Sequence, residues 1–343
     1  MIFIQIATTF VESLMIQSMR HLFLFLLFFF LLCGRGGAQS PDRLPFFEPS
    51  DTLHKTRFWS SVGIGAAAYS GVSIGLWNAW YKGFELGPFQ TFNDWPEWKQ
   101  IDKLGHLGTA YHEANWVFQA GNWMGLPREK AIWTGVVVGS ALQLTIEVMD
   151  GFSQKWGFSV YDFGFNTLGV FWFAGQEWAW QEQRLGWKFS STRPRYPDAL
   201  IRSADGLTTT TLQERANDLY GTGLLESLLK DYNGQTYWLS ANVHAFLPDR
   251  RFPRWLNVAV GYGAGNMYGG FANAWPSEDP IFFADQYPRY RQFYLSLDLD
   301  FTRIQTRHAW LRTVFKAINF IKVPAPTLEW NTQGEWIFHP VYW

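Results

Sequence analysis

The stretch "FYLSLDLDFTRI", residues 293–304, alternates position by position. Phe293, Leu295, Leu297, Leu299 and Phe301 fall on one side, Ser296, Asp298, Asp300 and Thr302 on the other. A period of two is the signature of a strand with one apolar and one polar face. Working backward, "WLNVAVGYGAG" (255–265) places Leu256, Val258, Val260, Tyr262 and Ala264 on one side. "YWLSANVHAFL" (237–247) does the same with Tyr237, Leu239, Ala241, Val243, Ala245 and Leu247. Such strands suit an antiparallel sheet packed on helices, or the wall of an outer-membrane barrel. About five strands are legible, fewer than the roughly eight at which single-chain barrels begin, so a closed barrel is not expected. The end of the chain, "EWIFHPVYW" (335–343), finishes a strand on an aromatic residue, as the assembly signals of outer-membrane barrels do. Arg307 to Lys322 interrupts the strands with an amphipathic helix. Trp310, Leu311, Val314, Phe315 and Ile318 lie on one side of it, suited to a membrane surface or to packing on the sheet.

Upstream of the polar stretch "STRPRYPDALIRSADG" (191–206) the period changes to that of helices. "FWSSVGIGAAAYSGVSIGLWNAWY" (58–81) carries no charge and is long enough to cross a hydrocarbon core, with Trp59, Trp77, Trp80 and Tyr81 near its ends as interface anchors. Gly71 and Gly75, with Ser61 and Gly65, give the small-residue spacing that admits a close helix neighbour. Three more helices are expected over about 101–121, 131–149 and 159–183, the last with Ser159 as N-cap and Asp162 at N3. The fold class is therefore α+β: a membrane-associated bundle of about four helices, followed by a mainly antiparallel β region with an amphipathic helix. The expected segments are a helical domain over 55–185, a linker over 186–210, and a helix plus β region over 211–343.

The beginning of the chain reads as an export signal. "MRHLFLFLLFFFLLCGRGGAQSPD" (19–42) has a basic start, an apolar run from Leu22 to Leu32, and small residues before Gln39. Cleavage is expected after Ala38, so that residues 1–38 are removed, with translation starting at Met15 or Met19. Lipidation at Cys33 is the alternative, although Leu32 stands where a lipobox wants a small residue. Cys33 is the only cysteine, so the mature chain holds no disulfide, thiolate metal site or cysteine nucleophile. A net charge of −1 gives no reason to expect nucleic acid. The aromatic content, with 20 Trp, 14 Tyr and 31 Phe, suits a membrane interface or an aromatic-rich soluble core. The partners expected are membrane lipid and envelope proteins, in the periplasm or at the outer membrane.

"DKLGHLGTAYHE" (102–113) gathers ionisable groups within otherwise apolar surroundings. At about 100° per residue, Asp102, His106, Thr109 and Glu113 share one helix face. The next helix aligns Ser140, Gln143 and Glu147, with Asp150 beyond its end, and the last aligns Asp162, Asn166, Gly169 and Gln176. Polar stripes on apolar helices are expected to meet, because a buried carboxylate needs a partner. Two readings follow. In the first, Asp102, Lys103, His106, Glu147, Asp150, Asp162 and Asn166 form a structural network that fixes helix register. In the second they form a site. His106 is then a general base with Glu147 and Asp162 as catalytic partners, or His106, Glu113 and Glu147 ligate a divalent metal. No zinc-protease, nucleophile-elbow, P-loop or dinucleotide motif accompanies them.

"DKLGH" (102–106), Glu147, "DG" (150–151) and "GFSVYDFGFNTLG" (157–169) resemble the YfiM-like group of bacterial envelope proteins, a domain of unknown function among predicted periplasmic lipoproteins. The same layout is faintly similar to VanZ-like membrane proteins. The resemblance covers about 55–185 and implies an envelope location without naming a reaction. It carries over to Asp102, Lys103, His106, Glu147, Asp150, Asp162 and Asn166. The expected function is an exported, membrane-associated envelope protein with a structural polar cluster. The alternatives are a membrane-embedded hydrolase or transferase acting on lipid or cell-wall precursors, and a barrel-like outer-membrane pore component.

Overall fold

The computed structural model describes residues 44–77, 86–247, 252–276 and 281–343. The export signal, Cys33, and residues 78–85 at the end of the first apolar stretch lie outside these residues. The chain divides into two compact units, one of residues up to Asp94 with Thr109–Gln181, the other of Trp95–Gly108 with Glu182–Trp343.

The first unit is helical. It contains α1 (Lys55–Leu76), most of α2 (Ile101–Met124), α3 (Arg128–Gly151) and α4 (Val160–Trp180). These helices run a few residues beyond the expected bounds at several ends. Ser159 caps α4 as its sequence suggests, its Oγ accepting from Asp162 N–H at 3.0 Å; the hydroxyl donates in turn to Asp94 at 2.6 Å. Close approach of α2 and α3 depends on small residues. A Cβ on Gly135 would lie 2.5 Å from the Ala114 carbonyl oxygen, and Gly139 sits against the same residue. On the α2 side Gly121 lies close to Ala131 of α3, whereas around Gly71 and Gly75 of α1 there is open space. Among the described residues α3 is the one helix long and apolar enough to cross a membrane, by length and composition. The helix α1 is anchored at its ends. Arg57 donates to the carbonyls of Glu48, Trp123 and Pro45, and Leu76 and Trp77 pack with Met149 and Phe152.

The bundle buries polar side chains beside apolar ones such as Phe118, Ile132, Val136, Val170 and Phe173, and it also exposes large apolar side chains. On α4, Asp162, Asn166, Gln176 and Glu177 are buried, while Tyr161, Phe163, Leu168, Phe171 and Trp178 are exposed. On α3, Gln143, Thr145 and Glu147 are buried, while Trp133 and Leu144 are exposed. Trp59, Ile64, Val72 and Ile74 are exposed on α1.

The second unit holds an antiparallel six-stranded sheet in the order β1-β4-β5-β8-β9-β10. Its strands are β1 (Leu185–Ser191), β4 (Gln235–Asn242), β5 (Leu256–Gly265), β8 (Tyr290–Leu299), β9 (Ala325–Asn331) and β10 (Trp336–Tyr342). The stretch expected to be a linker supplies the edge strand β1, with the alternation Trp187, Phe189 against Lys188, Ser190. It also supplies β2 (Leu200–Arg202), which pairs with β3 (Thr209–Thr211). The expected helix around 211–230 is two helices, α5 (Leu212–Tyr220) and α6 (Leu224–Lys230), broken at Gly221, whose φ of 77° a helix does not accept. The short helix α7 (Val243–Phe246) ends the run that began as β4. The strands β6 (Ala274–Pro276) and β7 (Ile281–Phe283) form a second hairpin. Ile201, Leu212, Tyr268, Trp275 and Phe282 from these pieces make a conventional apolar core.

The large sheet has the opposite polarity. Val258 faces Leu297, Val260 faces Leu295, Leu295 faces Leu328 and Phe293 faces Trp330 across neighbouring strands, and all of these side chains are exposed. The other face buries Lys188, Ser190, Ser240, Asn257, Ser296, Asp298, Thr327 and Glu329 around Trp238 and Tyr294. The sheet curls about this face. The Tyr342 ring of β10 meets Trp238 of β4 and Tyr294 of β8, at centroid distances of 6.1 and 4.6 Å. After the amphipathic helix α8 (Ala309–Ile318), the chain passes beside β1, with Phe189 N–H donating to Phe320 O at 2.8 Å and Lys322 N–H to Phe189 O at 2.9 Å. Among the described residues β1 and β10 do not pair. The sheet is open, as the sequence count implied, and it does not form the closed wall that a barrel-like pore requires.

Candidate functional site

The "DKLGH" segment opens α2 inside the second unit. It follows three consecutive residues of positive φ, Trp98 (45°), Lys99 (53°) and Gln100 (65°). This conformation costs L-residues roughly 1–2 kcal/mol each, and here it is held from outside the segment. Trp98 N–H donates to Gly270 O at 2.8 Å, the Tyr262 hydroxyl donates to Lys99 O at 2.5 Å, and Arg291 donates to the Gln100 side chain. Strain that the surroundings must enforce is characteristic of positions where geometry matters.

Lys103 is fully buried, and its Nζ lies 3.1 Å from Asp102 Oδ2. Asp102 also accepts from the Tyr232 hydroxyl at 2.7 Å, and His106 Nε2 stands 3.9 Å from the same carboxylate one turn along. Burial alone would raise the Asp102 carboxyl. The charges of His106 and Lys103 and the hydrogen bond from Tyr232 outweigh it and hold the group below its ordinary value. The glycines of the segment have a packing reason. A Cβ on Gly105 would lie 2.9 Å from the Tyr237 hydroxyl, and one on Gly108 2.3 Å from the Trp187 ring. Only residues without a side chain let this turn of helix meet those two aromatics.

The remaining expected residues lie in the first unit. Asn166 donates to Glu147 at 3.2 Å, joining α4 to α3, and both are buried. Gln143 donates to Glu113 at 2.8 Å, joining α3 to α2. Asp162 is buried in the first turn of α4. Thr109 and Ser140, expected on the polar faces of α2 and α3, are exposed. At the far end of the bundle Glu177 is paired with Arg128. Glu113, Glu147 and Glu177 are thus matched with amides or a guanidinium from a neighbouring helix, which ties helices together in a fixed register.

A second polar constellation, on the inner face of the large sheet, has no counterpart among the expected residues. Lys188 Nζ is 2.9 Å from Asp298 Oδ2, and Lys322 Nζ is 4.0 Å from the other carboxylate oxygen. Ser240 donates to Asp298 at 2.7 Å, and Asn257 donates to Ser240 at 2.8 Å. Lys322 also lies 4.9 Å from the centre of the Trp238 ring, a cation–π distance. Nearer the chain end, His339 pairs with Glu329 at 2.7 Å. Asp298 was visible in the sequence as a polar-face residue. What could have flagged it is that a lysine, Lys188, alternates into the same face of a strand a hundred residues earlier.

No curated protein and no solved structure is detectably similar to the chain. Residues 92–174 match the family described as predicted periplasmic lipoprotein (DUF2279), which supports an exported, cell-envelope protein whose activity is uncharacterised.

Proposed function

We propose that the protein is a membrane-seated scaffold of a bacterial-type envelope, in which helices and sheet alike turn apolar side chains to lipid and polar side chains inward. The observation that carries this reading is the inverted polarity of the large sheet. Val260, Leu295 and Leu297 are each about half exposed, at 53%, 51% and 50%, while Lys188 and Asp298 on the opposite face are 1% and 3% exposed. Water would favour the reverse arrangement, since burying charge costs free energy that exposing leucine does not return. A hydrocarbon solvent favours the one observed, and outer-membrane strands alternate in this sense. The helical unit likewise exposes large apolar side chains such as Ile64, Val72, Phe163 and Phe171, and α8 offers an amphipathic face suited to the interface. The polar clusters are structural in this reading, since buried ion and amide pairs fix register without chemistry.

Alkaline carbonate or urea extraction of membranes tests it. The protein is expected to stay with the membrane, and its tryptophan emission to be quenched by lipids brominated along the acyl chain. Release into the soluble fraction would remove the proposal.

The second reading keeps His106 as a general base oriented by Asp102 or as a ligand of a divalent metal, as in a hydrolase or transferase acting on lipid or cell-wall precursors. The strained turn before this pair is the observation that favours it. Of the partners or ligands expected for His106, Glu113 and Glu147 are engaged by amides. A divalent-metal assay on purified protein, with His106→Ala and Glu147→Ala as controls, decides it. Metal that copurifies with the wild type and is lost in both variants would favour the enzyme.

A further inference from the structure

The helix α1 is fixed at both ends but stands off from α2 and α3 between them. Its middle, "GIGAAAYSG" (63–71), carries too little side chain to fill the gap. The result is an apolar cleft of about 480 Å³ whose walls include Gly65, Ala68, Val72, Trp116, Val138 and Leu142. Protein interiors do not normally leave such volume unfilled. We propose that this cleft holds one acyl chain of a membrane phospholipid; the inference rests on the membrane-seated reading above and adds an occupant to it.

Three features select a hydrocarbon chain. First, the cleft is long. It is lined on α1 from Ser61 to Leu76, a run of roughly 22 Å at the rise of an α-helix, which suits an extended chain better than a compact ligand. Second, several polar groups in the walls already have partners. Glu113, the one carboxylate among the described lining residues, accepts from Gln143. The hydroxyls of Tyr69 and Thr145 bond each other at 3.1 Å, and Thr134 bonds the Lys130 carbonyl. A ligand in the cleft therefore meets walls that offer apolar contact and no cation for an anionic headgroup. Third, exposed apolar residues Ile64, Val72 and Trp116 are themselves part of the lining. The cleft is continuous with the surface assigned to lipid, so a chain can enter sideways from the bilayer.

The test is photolabelling of the full chain in phosphatidylethanolamine vesicles whose phospholipid carries a diazirine on one acyl chain, read by mass spectrometry of peptides. Adducts are expected to be several-fold enriched on the cleft-lining positions of α1, α2 and α3 over the outward positions Phe163, Phe171 and Trp178 of α4. Ala68→Phe, which fills the cleft, is expected to lower labelling of its walls about tenfold with α4 labelling unchanged; Val72→Trp at the rim does the same if Ala68→Phe does not fold. Uniform labelling of α1 and α4, or cleft labelling that survives both variants, overturns the acyl-chain site while leaving the membrane reading intact. Absence of label from α4 as well, together with release by carbonate, overturns both.

Discussion

Lys188 and Asp298 form an ion pair at 2.9 Å, closed off from solvent on the inner face of a sheet whose outer face exposes Leu295 and Leu297. Two lysines share the one carboxylate, because Lys322 approaches its second oxygen. Apolar groups are the ones left outside, and the charges are the ones protected.

Removing the shared carboxylate should be more damaging than removing either lysine. Asp298→Ala leaves Lys188 and Lys322 buried without their counter-charge and is expected to cost about 3–5 kcal/mol. Lys188→Met should cost less, because Asp298 keeps Lys322, the Ser240 hydroxyl and the Val323 N–H. Chemical denaturation in detergent measures both. An Asp298→Ala protein as stable as the wild type would show that the pair does not hold the sheet.

The outer face makes the opposite prediction in lipid and in water. Leu295→Arg or Leu297→Arg at a lipid-facing position near the bilayer midplane costs about 2–4 kcal/mol. At a water-exposed position the same change stays within about 0.5 kcal/mol. Unfolding from phospholipid vesicles is expected to show the larger loss, and a negligible one would mean this face sees water.

Much of this architecture was readable from spacing alone. The strands around Leu297, Val258 and Leu239, the N-cap at Ser159 and the inward face of α4 through Asp162, Asn166 and Gln176 all follow from periods of two and 3.6. Which side of the sheet faces inward did not follow, since a period gives two faces and not the solvent each one meets. That is why Leu295 reads equally well as core or as lipid contact. The edge strand around Lys188 was masked by the prolines and charges just after it. Tyr232 at Asp102, and Tyr237 and Trp187 against Gly105 and Gly108, were invisible because they arrive from about eighty or more residues away in the chain, and spacing carries no information about such contacts.

Glu147 separates a structural cluster from a metal site. Its bond from Asn166 needs an acceptor oxygen, which Gln supplies, so Glu147→Gln is expected to melt near the wild type. Glu147→Ala leaves the Asn166 amide buried without that acceptor and should lose about 1–3 kcal/mol. Thermal melts of the two variants, with metal content measured in parallel, check this. Equal and total loss of a bound metal in both would contradict the structural role.

Asp102 ties stability to acid pH. Its carboxyl is held below the ordinary 3.8 in the folded chain, so the folded state binds fewer protons than the unfolded one as pH falls through that region. The stabilisation is fully present above the unfolded value and is lost as pH drops through the folded one. Tyr232→Phe removes one of the hydrogen bonds that hold the carboxylate charged and should move the folded value back toward 3.8. The expected outcome is a stability lower by about 1.5–3 kcal/mol at neutral pH, as for a hydrogen bond to a charged group. The loss of stability between about pH 5 and pH 2 should also be shallower than in the wild type. Urea midpoints across that range measure both effects. Superimposable curves for Tyr232→Phe and the wild type would mean that this hydroxyl does not set the charge of Asp102.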